Sequence, residues 1–188
     1  MASATAILRK EHDAILRMLG ATDVLAERMA NGERVAPETL SELLEFFRLF
    51  ADRCHHGKEE DLLFPLLKSK GIPEQGGPLG VMLFEHEEGR SLLRQMELSA
   101  EAYARGVPEA AGRWARAARD YVALLSLHIV KENNVLFLIA ERLLTEAEQQ
   151  ALAEAFERVE EEKMGSGSHQ RLHAQMERLL AGIAQHSS

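Results

Sequence analysis

Two stretches of the chain repeat one pattern, a histidine followed four residues later by a glutamate, and this repeat limits most strongly how the chain can fold. The first covers residues 55–64, and the second, 73 positions further on, covers residues 128–137. Histidine, lysine, glutamate, leucine and phenylalanine recur in register. A Glu-His pair precedes each stretch, at positions 11–12 and 85–86. A bundle that brings both sets into one interior would create a symmetric metal site with four histidines and two glutamates.

Hydrophobic residues recur with helical spacing, and no strand pattern is present. The sequence predicts helices over about 4–31, 37–70, 78–105 and 109–143, separated by short segments that contain glycine and proline. Short connections make neighbouring helices antiparallel. We therefore expect an all-α protein built as an up-down-up-down four-helix bundle.

The C-terminal part is predicted to be helical as well. Thr145 and Glu148 have the spacing of a capping box, which predicts a helix from there to about Met164. A last helix is expected over about 169–185. We therefore expect a bundle over residues 1–144 and a helical extension over residues 145–188 that packs on it, with a flexible or partner-binding tail as the alternative.

Composition narrows the classes of protein. A length of 188 residues, with 46% hydrophobic and 28% charged residues, suits one soluble globular core. A net charge of −8 without a basic face argues against nucleic acid and membranes as partners. No leader pattern is seen, and no stretch approaches about 18 apolar residues. With Cys54 as the single cysteine, a reducing cytoplasm is the simplest compartment.

Residues four apart lie on one face of a helix. Six residues of the repeat share their faces with apolar side chains and are predicted to point into the core: His12, His55, Glu59, His86, His128 and Glu132. Burying these groups without partners costs several kcal/mol. A lone buried histidine is more often a hydrogen-bonded core residue, but the duplicated set predicts metal ligation.

Other polar residues near the repeat are not predicted to be metal ligands. His56 and Glu60 share a face with Asp52 and Arg53, so we predict that they lie at the surface or behind the ligands, and that substitution of His56 leaves metal binding intact. Tyr121 is predicted to be a core residue, and the alternative is that it lines the cavity above the metals. His169 and His173 are also four residues apart, but no acidic residue accompanies them on that turn. We therefore predict that they lie on a solvent-exposed helix face and do not form a second metal site.

The ligand types narrow the metal. Imidazole and carboxylate without thiolate suit iron or manganese, with zinc as an alternative. Ferritin-like bundles hold two metals with a Glu-x-x-His motif from each half. The sequence contains no such motif. The ferritin-like class is therefore disfavoured.

The motifs instead resemble those of the hemerythrin-like family, the bacterial His-His-Glu cation-binding proteins. The resemblance spans about residues 8–140 and is carried by Glu-His-Asp-Ala-Ile, His-x-x-x-Glu-Glu-Asp-Leu-Leu-Phe-Pro, Glu-His-Glu-Glu-Gly-Arg and His-Ile-x-Lys-Glu-Asn-Asn-Val-Leu-Phe. It implies two iron ions, with or without an oxo or hydroxo bridge, held by the six residues named above. Glu59 and Glu132 would be the bridging carboxylates.

The departures from oxygen-carrying members of that family limit the function. Those members have a fifth histidine where this chain has Arg90, and they end the last motif with His-x-x-x-x-Asp. The chain is more similar to di-iron proteins linked to nitric oxide, oxidative stress and repair of iron–sulfur centres. The resemblance implies binding or reduction of O2, NO or peroxide at a symmetric site of four histidines and two glutamates. The alternatives are an iron- or redox-sensing or iron-handling module without turnover, and a structural bundle stabilised by zinc or manganese; a redox partner or a homodimer is an open expectation.

Overall fold

The computed structural model describes residues 2–165 and 168–185, without the side chains at 163, 164, 168 and 169. In that part of the chain six helices follow one another, and we number them α1 (Ala4–Ala30), α2 (37–69), α3 (Pro78–Ala104), α4 (Ala110–Leu143), α5 (Glu146–Met164) and α6 (Ser168–Gln185). The described residues contain no strand. The predicted all-α bundle with additional C-terminal helices is confirmed.

Local sequence explains where the helices begin and end. The Ser3 side chain accepts a hydrogen bond from the backbone N–H of Ala6 at the start of α1, and the capping box predicted at Thr145 is present at the start of α5. Gly32 and Gly106 follow α1 and α3 with φ angles of 82° and 74°. Glycine adopts this left-handed conformation without the steric cost of a Cβ atom, so the chain can turn there.

Three segments beside the repeated motifs are π-helical. They are Phe47–His56 and Glu59–Leu63 in α2 and Glu132–Leu136 in α4. The backbone of a π-helix bonds from residue i to i+5, so each turn holds more residues than an α-helical turn. A face assignment based on 3.6 residues per turn is therefore less exact in these segments.

The helices pack as a bundle with the C-terminal helices laid on it. α4 packs against both α1 and α3, while α5 contacts α1 and α2, and α6 contacts α2 and α1. α6 contributes Leu172 and Met176 to one apolar core cluster, and α5 contributes Leu152 and Phe156 to a second. The C-terminal helices thus share the core of the bundle, and a division into residues 1–144 and 145–188 stays our proposal.

A polar layer separates the two apolar clusters. On α1, His12 lies between Leu8, which belongs to one cluster, and Ile15, which belongs to the other. The repeated motifs of α2, α3 and α4 lie between members of the two clusters in the same way, at His55, His86 and His128. Four helices therefore bring their motifs to one level of the bundle.

α4 is long and apolar enough that, by length and composition alone, it could cross a membrane. Its 18-residue apolar window also contains polar residues, so it differs from the uninterrupted apolar run of about 18 residues that the sequence analysis looked for. A third of that window is buried inside the protein. The core helix of a soluble bundle meets the same criterion, and the cytoplasmic location stays a prediction.

Candidate metal centre

Seven buried side chains converge in the polar layer and form two overlapping groups of candidate metal ligands. One group contains His56, Glu59, His86 and His128, and the other contains His12, His55, Glu59 and Glu132. Within each group the candidate ligand atoms lie within 4.8 Å of one another. Glu59 belongs to both groups, so the two groups are adjacent. The structure thus brings together the six residues predicted as ligands and adds His56.

Glu132 lies between imidazoles of α1 and α4. Its Oε2 is 3.1 Å from Nε2 of His12, and its Oε1 is 3.2 Å from Nε2 of His128. Neither oxygen has a hydrogen-bond partner among the described residues. A carboxylate that turns one oxygen toward each of two imidazoles is placed as a ligand shared by two metal ions would be.

Glu59 is placed in the same way between imidazoles of α2 and α3. Its Oε1 is 3.6 Å from Nε2 of His55, and its Oε2 is 3.5 Å from Nε2 of His86. Both oxygens lack hydrogen-bond partners in the described part of the chain, as does Nε2 of His12. Buried carboxylates without partners cost several kcal/mol, and cations between the oxygens and the imidazoles would remove that cost. The donor set therefore fits a pair of metal ions.

A glutamate from each Glu-His pair holds an imidazole on the next helix. Nδ1 of His55 is 2.9 Å from Oε2 of Glu11, and Nδ1 of His128 is 3.0 Å from Oε2 of Glu85. An ionised carboxylate can only accept a hydrogen bond, so Nδ1 carries the proton in both rings. The lone pair is then on Nε2, which faces the interior and is free to bind a metal.

The other two repeat histidines are held by residues that follow the ligand glutamates. Nδ1 of His12 is 3.0 Å from Oδ1 of Asn133, and Nδ1 of His86 is 2.6 Å from Oε1 of Glu60. Asn133 and Glu60 occupy equivalent positions in the two repeats. The repeat therefore encodes the supports of the imidazoles as well as the imidazoles themselves.

The lysines that recur in the repeat complete these supports. Lys58 donates to Glu11 at 2.5 Å, and Lys131 contacts Glu85. The sequence-based prediction left these four residues out, although the in-register recurrence of glutamate and lysine was a signal for them. The two halves differ, because the Lys58 side chain is 1% exposed and also binds Glu160 of α5 at 3.0 Å, whereas that of Lys131 is 39% exposed.

The structure buries the side chain of His56, which was predicted to lie at the surface or behind the ligands. The surface position is therefore wrong, and the position behind the ligands stays a prediction. The ring of His56 stacks on that of His86 with a centroid distance of 3.9 Å. Its Nδ1 is 3.4 Å from Oδ1 of Asp52. The cause is the π-helical segment Phe47–His56, whose wider turn directs two consecutive histidines inward. The equivalent residue of the second repeat is Ile129, so the seven-residue cluster is not symmetric.

Burial keeps most of the imidazoles neutral. It lowers the pKa of His55 to about 4 and the pKa values of His56 and His86 to about 3. Burial also lowers the pKa of His128, but the charge of Glu132 outweighs this, and the net shift is upward. Neutral imidazoles at neutral pH can bind a metal without first losing a proton.

The two ligand glutamates have opposite pKa shifts in the metal-free chain. Burial and the nearby charge of Glu132 raise the pKa of Glu59 well above its usual value. Burial also raises the pKa of Glu132, but the imidazoles of His128 and His12 lower it by more. Two neighbouring buried carboxylates repel each other when both are ionised, and a cation between them would remove this unfavourable free energy.

Tyr121 and His173 lie outside the two candidate ligand groups. Tyr121 is a buried member of the larger apolar cluster, its ring meets Phe47 edge-on at 5.0 Å, and burial raises its pKa. A place above the metals stays a prediction for Tyr121. The His173 ring meets Phe50 edge-on at 5.5 Å, and the side chain of His169 lies outside the described residues.

The chain is similar to three proteins, two of which are named for a function. An uncharacterized protein of Mycobacterium tuberculosis (Rv1995) is 25% identical over 167 residues, which are 87% of this chain and 63% of that protein. The iron-sulfur cluster repair protein DnrN of Neisseria gonorrhoeae is 38% identical over 89 residues, 44% of this chain and 54% of DnrN. The iron-sulfur cluster repair protein YtfE of Escherichia coli O1:K1 / APEC is 35% identical over 86 residues, 44% of this chain and 39% of YtfE. The chain spans less than two thirds of the length of each of these relatives.

A family model matches most of the chain. The family model of the hemerythrin HHE cation binding domain matches residues 3–140. That range contains all seven candidate ligands and the residues that hold their outer nitrogens, Asp52, Glu11, Glu60, Glu85 and Asn133. The resemblance predicted from the motifs is confirmed. The chain therefore belongs to the hemerythrin HHE cation-binding domain family.

Proposed function

We propose that the protein binds two iron ions in its polar layer and uses them to bind or reduce a small ligand, namely O2, NO or peroxide. One observation carries this proposal. The four oxygens of Glu59 and Glu132 are buried without hydrogen-bond partners among the described residues, yet each lies within 3.6 Å of an imidazole Nε2. Cations would satisfy both sets of atoms at once.

Iron is favoured over the other candidate metals by two of the relatives. Imidazole and carboxylate donors suit iron, and also manganese or zinc, so the ligand types alone do not decide. The names of DnrN and YtfE connect those proteins with iron–sulfur cluster repair. Iron bound in this site would supply reversible redox chemistry and coordination positions open to a small ligand.

The fifth imidazole makes the two proposed metal positions unequal. With both glutamates shared, one position receives His56, His86 and His128, and the other receives His12 and His55. An octahedral ion would then keep about one open position at the first and about two at the second. A symmetric site of four histidines and two glutamates is therefore replaced in our proposal by five histidines and two glutamates.

Substitution of His56 with phenylalanine tests this inequality. His56→Phe keeps a ring stacked on His86 but removes both ring nitrogens, so we expect one iron to bind as before and the other to bind at least about tenfold more weakly. Titration of the metal-free protein with ferrous iron measures both steps. His173→Phe, on α6 and outside both ligand groups, is the matched control. Two unchanged binding steps in His56→Phe would remove His56 from the ligand set.

Reactivity of the reduced, iron-loaded protein tests the function itself. Addition of NO in the absence of air, and of peroxide or air to separate samples, should change the visible absorption spectrum, because ferrous iron with an open coordination position would bind NO and be oxidised by peroxide or O2. The Glu59→Gln variant should show no change, since Glu59 belongs to both ligand groups. An iron-loaded wild-type protein whose spectrum ignores all three reagents would contradict the proposal.

A second candidate function is a sensor without turnover, and one chain of contacts favours it. Glu160 of α5 binds Lys58, Lys58 binds Glu11, and Glu11 holds the ligand His55. A change at the metals could therefore alter the C-terminal helices and a partner contact. This function predicts that metal removal changes protease cleavage within residues 145–188 while NO and peroxide are not consumed. A zinc- or manganese-stabilised bundle is separated from both by elemental analysis.

A further inference from the structure

Arg90 joins three carboxylates at the outer edge of the metal layer. From α3, its Nε donates to Asp52 at 2.7 Å, and its two terminal nitrogens donate to Glu60 at 2.7 Å and to Glu87 at 2.6 Å. The Asp52 and Glu60 side chains are about one quarter exposed, whereas the Glu87 side chain is 67% exposed. The inner two contacts are therefore the ones that separate the metal layer from solvent.

Both inner carboxylates hold imidazoles of the same ligand group. Oε1 of Glu60, which accepts from Arg90, is also 2.6 Å from Nδ1 of His86. Oδ1 of Asp52, which accepts from Arg90, is also 3.4 Å from Nδ1 of His56. The two rings are stacked with an interplanar angle of 15°. One guanidinium group thus connects to a parallel pair of candidate ligands through two single oxygen atoms.

The second ligand group is supported differently. His12 is held by Asn133, whose side chain accepts from Arg9, and His55 is held by Glu11, which binds Lys58. Each of these two imidazoles has its own support and its own cation. A change at Arg90 should therefore reach one metal position and leave the other as it is.

The same residues form the floor of a surface cavity. The cavity has a volume of about 470 Å³ and is lined by Arg48, Asp52, Arg53, Gly57, Glu60 and Arg90, among others. Asp52, Arg90 and Glu60 lie between this cavity and the stacked imidazoles that two of them hold. Without the guanidinium, two neighbouring carboxylates would repel each other and water would reach the outer nitrogens from the cavity.

We propose that Arg90 is a positioning residue that sets the orientation of His56 and His86 together and so tunes one metal of the pair selectively. The proposal rests on the proposed di-iron function. A planar guanidinium can bind two separate carboxylates in fixed directions, which a lysine ammonium does less well. Loss of a group that holds a metal-binding histidine typically lowers the affinity for the metal by about 10–100-fold.

The test compares Arg90→Met, Arg90→Lys and the control Arg17→Met, which removes an exposed pair with Glu177. Titration with ferrous iron should show one unchanged step and one step weakened about 10–100-fold in Arg90→Met, a smaller loss in Arg90→Lys, and two normal steps in Arg17→Met. Mössbauer spectra should show a change in the signal of one iron only. Equal weakening of both steps, or none, would overturn the proposal.

A second readout needs no metal. In the metal-free protein labelled with 15N-histidine, Arg90→Met should shift the Nδ1 signals of His56 and His86 and leave those of His12 and His55 in place. If wild-type protein binds no iron while this selective shift is seen, the di-iron function fails and the positioning role stands. If wild-type protein binds two irons and the shift is absent or spread over all five histidines, the positioning role fails.

Discussion

Binding of each iron is expected to raise the unfolding temperature of the protein by about 8–16 °C. A ligand at 1,000 times its dissociation constant stabilises a folded protein by about 4 kcal/mol, and 1 kcal/mol shifts the transition of a chain of this size by about 2–4 °C. The physical reason lies in Glu59 and Glu132, whose four buried oxygens lack hydrogen-bond partners among the described residues. Differential scanning calorimetry of metal-free and iron-loaded protein at equal pH and salt measures the shift.

The specificity of this stabilisation can be checked in the same experiment. Calcium and magnesium prefer oxygen ligands and should produce little shift, because the site offers five imidazoles. Equal unfolding temperatures with and without iron would mean that the buried carboxylates are satisfied in another way, and that the polar layer is a structural network.

The Glu59→Gln substitution is expected to have opposite effects on the two forms of the protein. It should weaken iron binding by more than about 100-fold, beyond the usual effect of losing a supporting residue, because Glu59 belongs to both ligand groups. It should stabilise the metal-free form by about 1–3 kcal/mol, because it removes a buried carboxylate beside that of Glu132, which raises the pKa of Glu59. Urea unfolding with and without iron measures both effects.

Glu101→Gln is the matched control for this substitution. Glu101 lies on α3 with a side chain that is 65% exposed, and its pair with Arg105 at 3.8 Å is a surface contact. It should change neither the iron affinity nor the unfolding free energy of either form. A Glu59→Gln protein that is less stable without metal, or that keeps both irons, would show that Glu59 has another role.

Most of the fold could be predicted because its signals are local. Glycine and proline at the connections, the capping box at Thr145 and helical spacing of apolar residues lie within single elements. α1, for example, was expected over 4–31 and runs over Ala4–Ala30. The convergence of the motifs on one layer followed from the repeat. Its equivalent positions lie on α1 and α3 and on α2 and α4, and each of these pairs runs in one direction, so equivalent positions can share one level.

The composition of the site was predicted less completely, for two physical reasons. His56 was predicted to lie at the surface or behind the ligands because its face was calculated for an α-helix, and the wider turn of the π-helical segment cannot be read from residue spacing. The contact of Lys58 with Glu160 joins residues 102 positions apart, and it depends on how α5 packs on α2. By contrast, Glu11 and Glu85 recur in the repeat, so the sequence alone could have predicted them as the residues that hold the imidazoles.

The iron content of the purified protein, measured with its absorption spectrum before and after reduction, tests the central claim most directly. The account predicts two irons per chain in the wild-type protein and loss of both in Glu59→Gln. Loading with zinc should displace the iron and abolish the visible spectrum without unfolding the bundle. A wild-type protein that binds no iron tightly after anaerobic reconstitution, or that takes up iron equally well as Glu59→Gln, would contradict the assignment of the polar layer as a di-iron site.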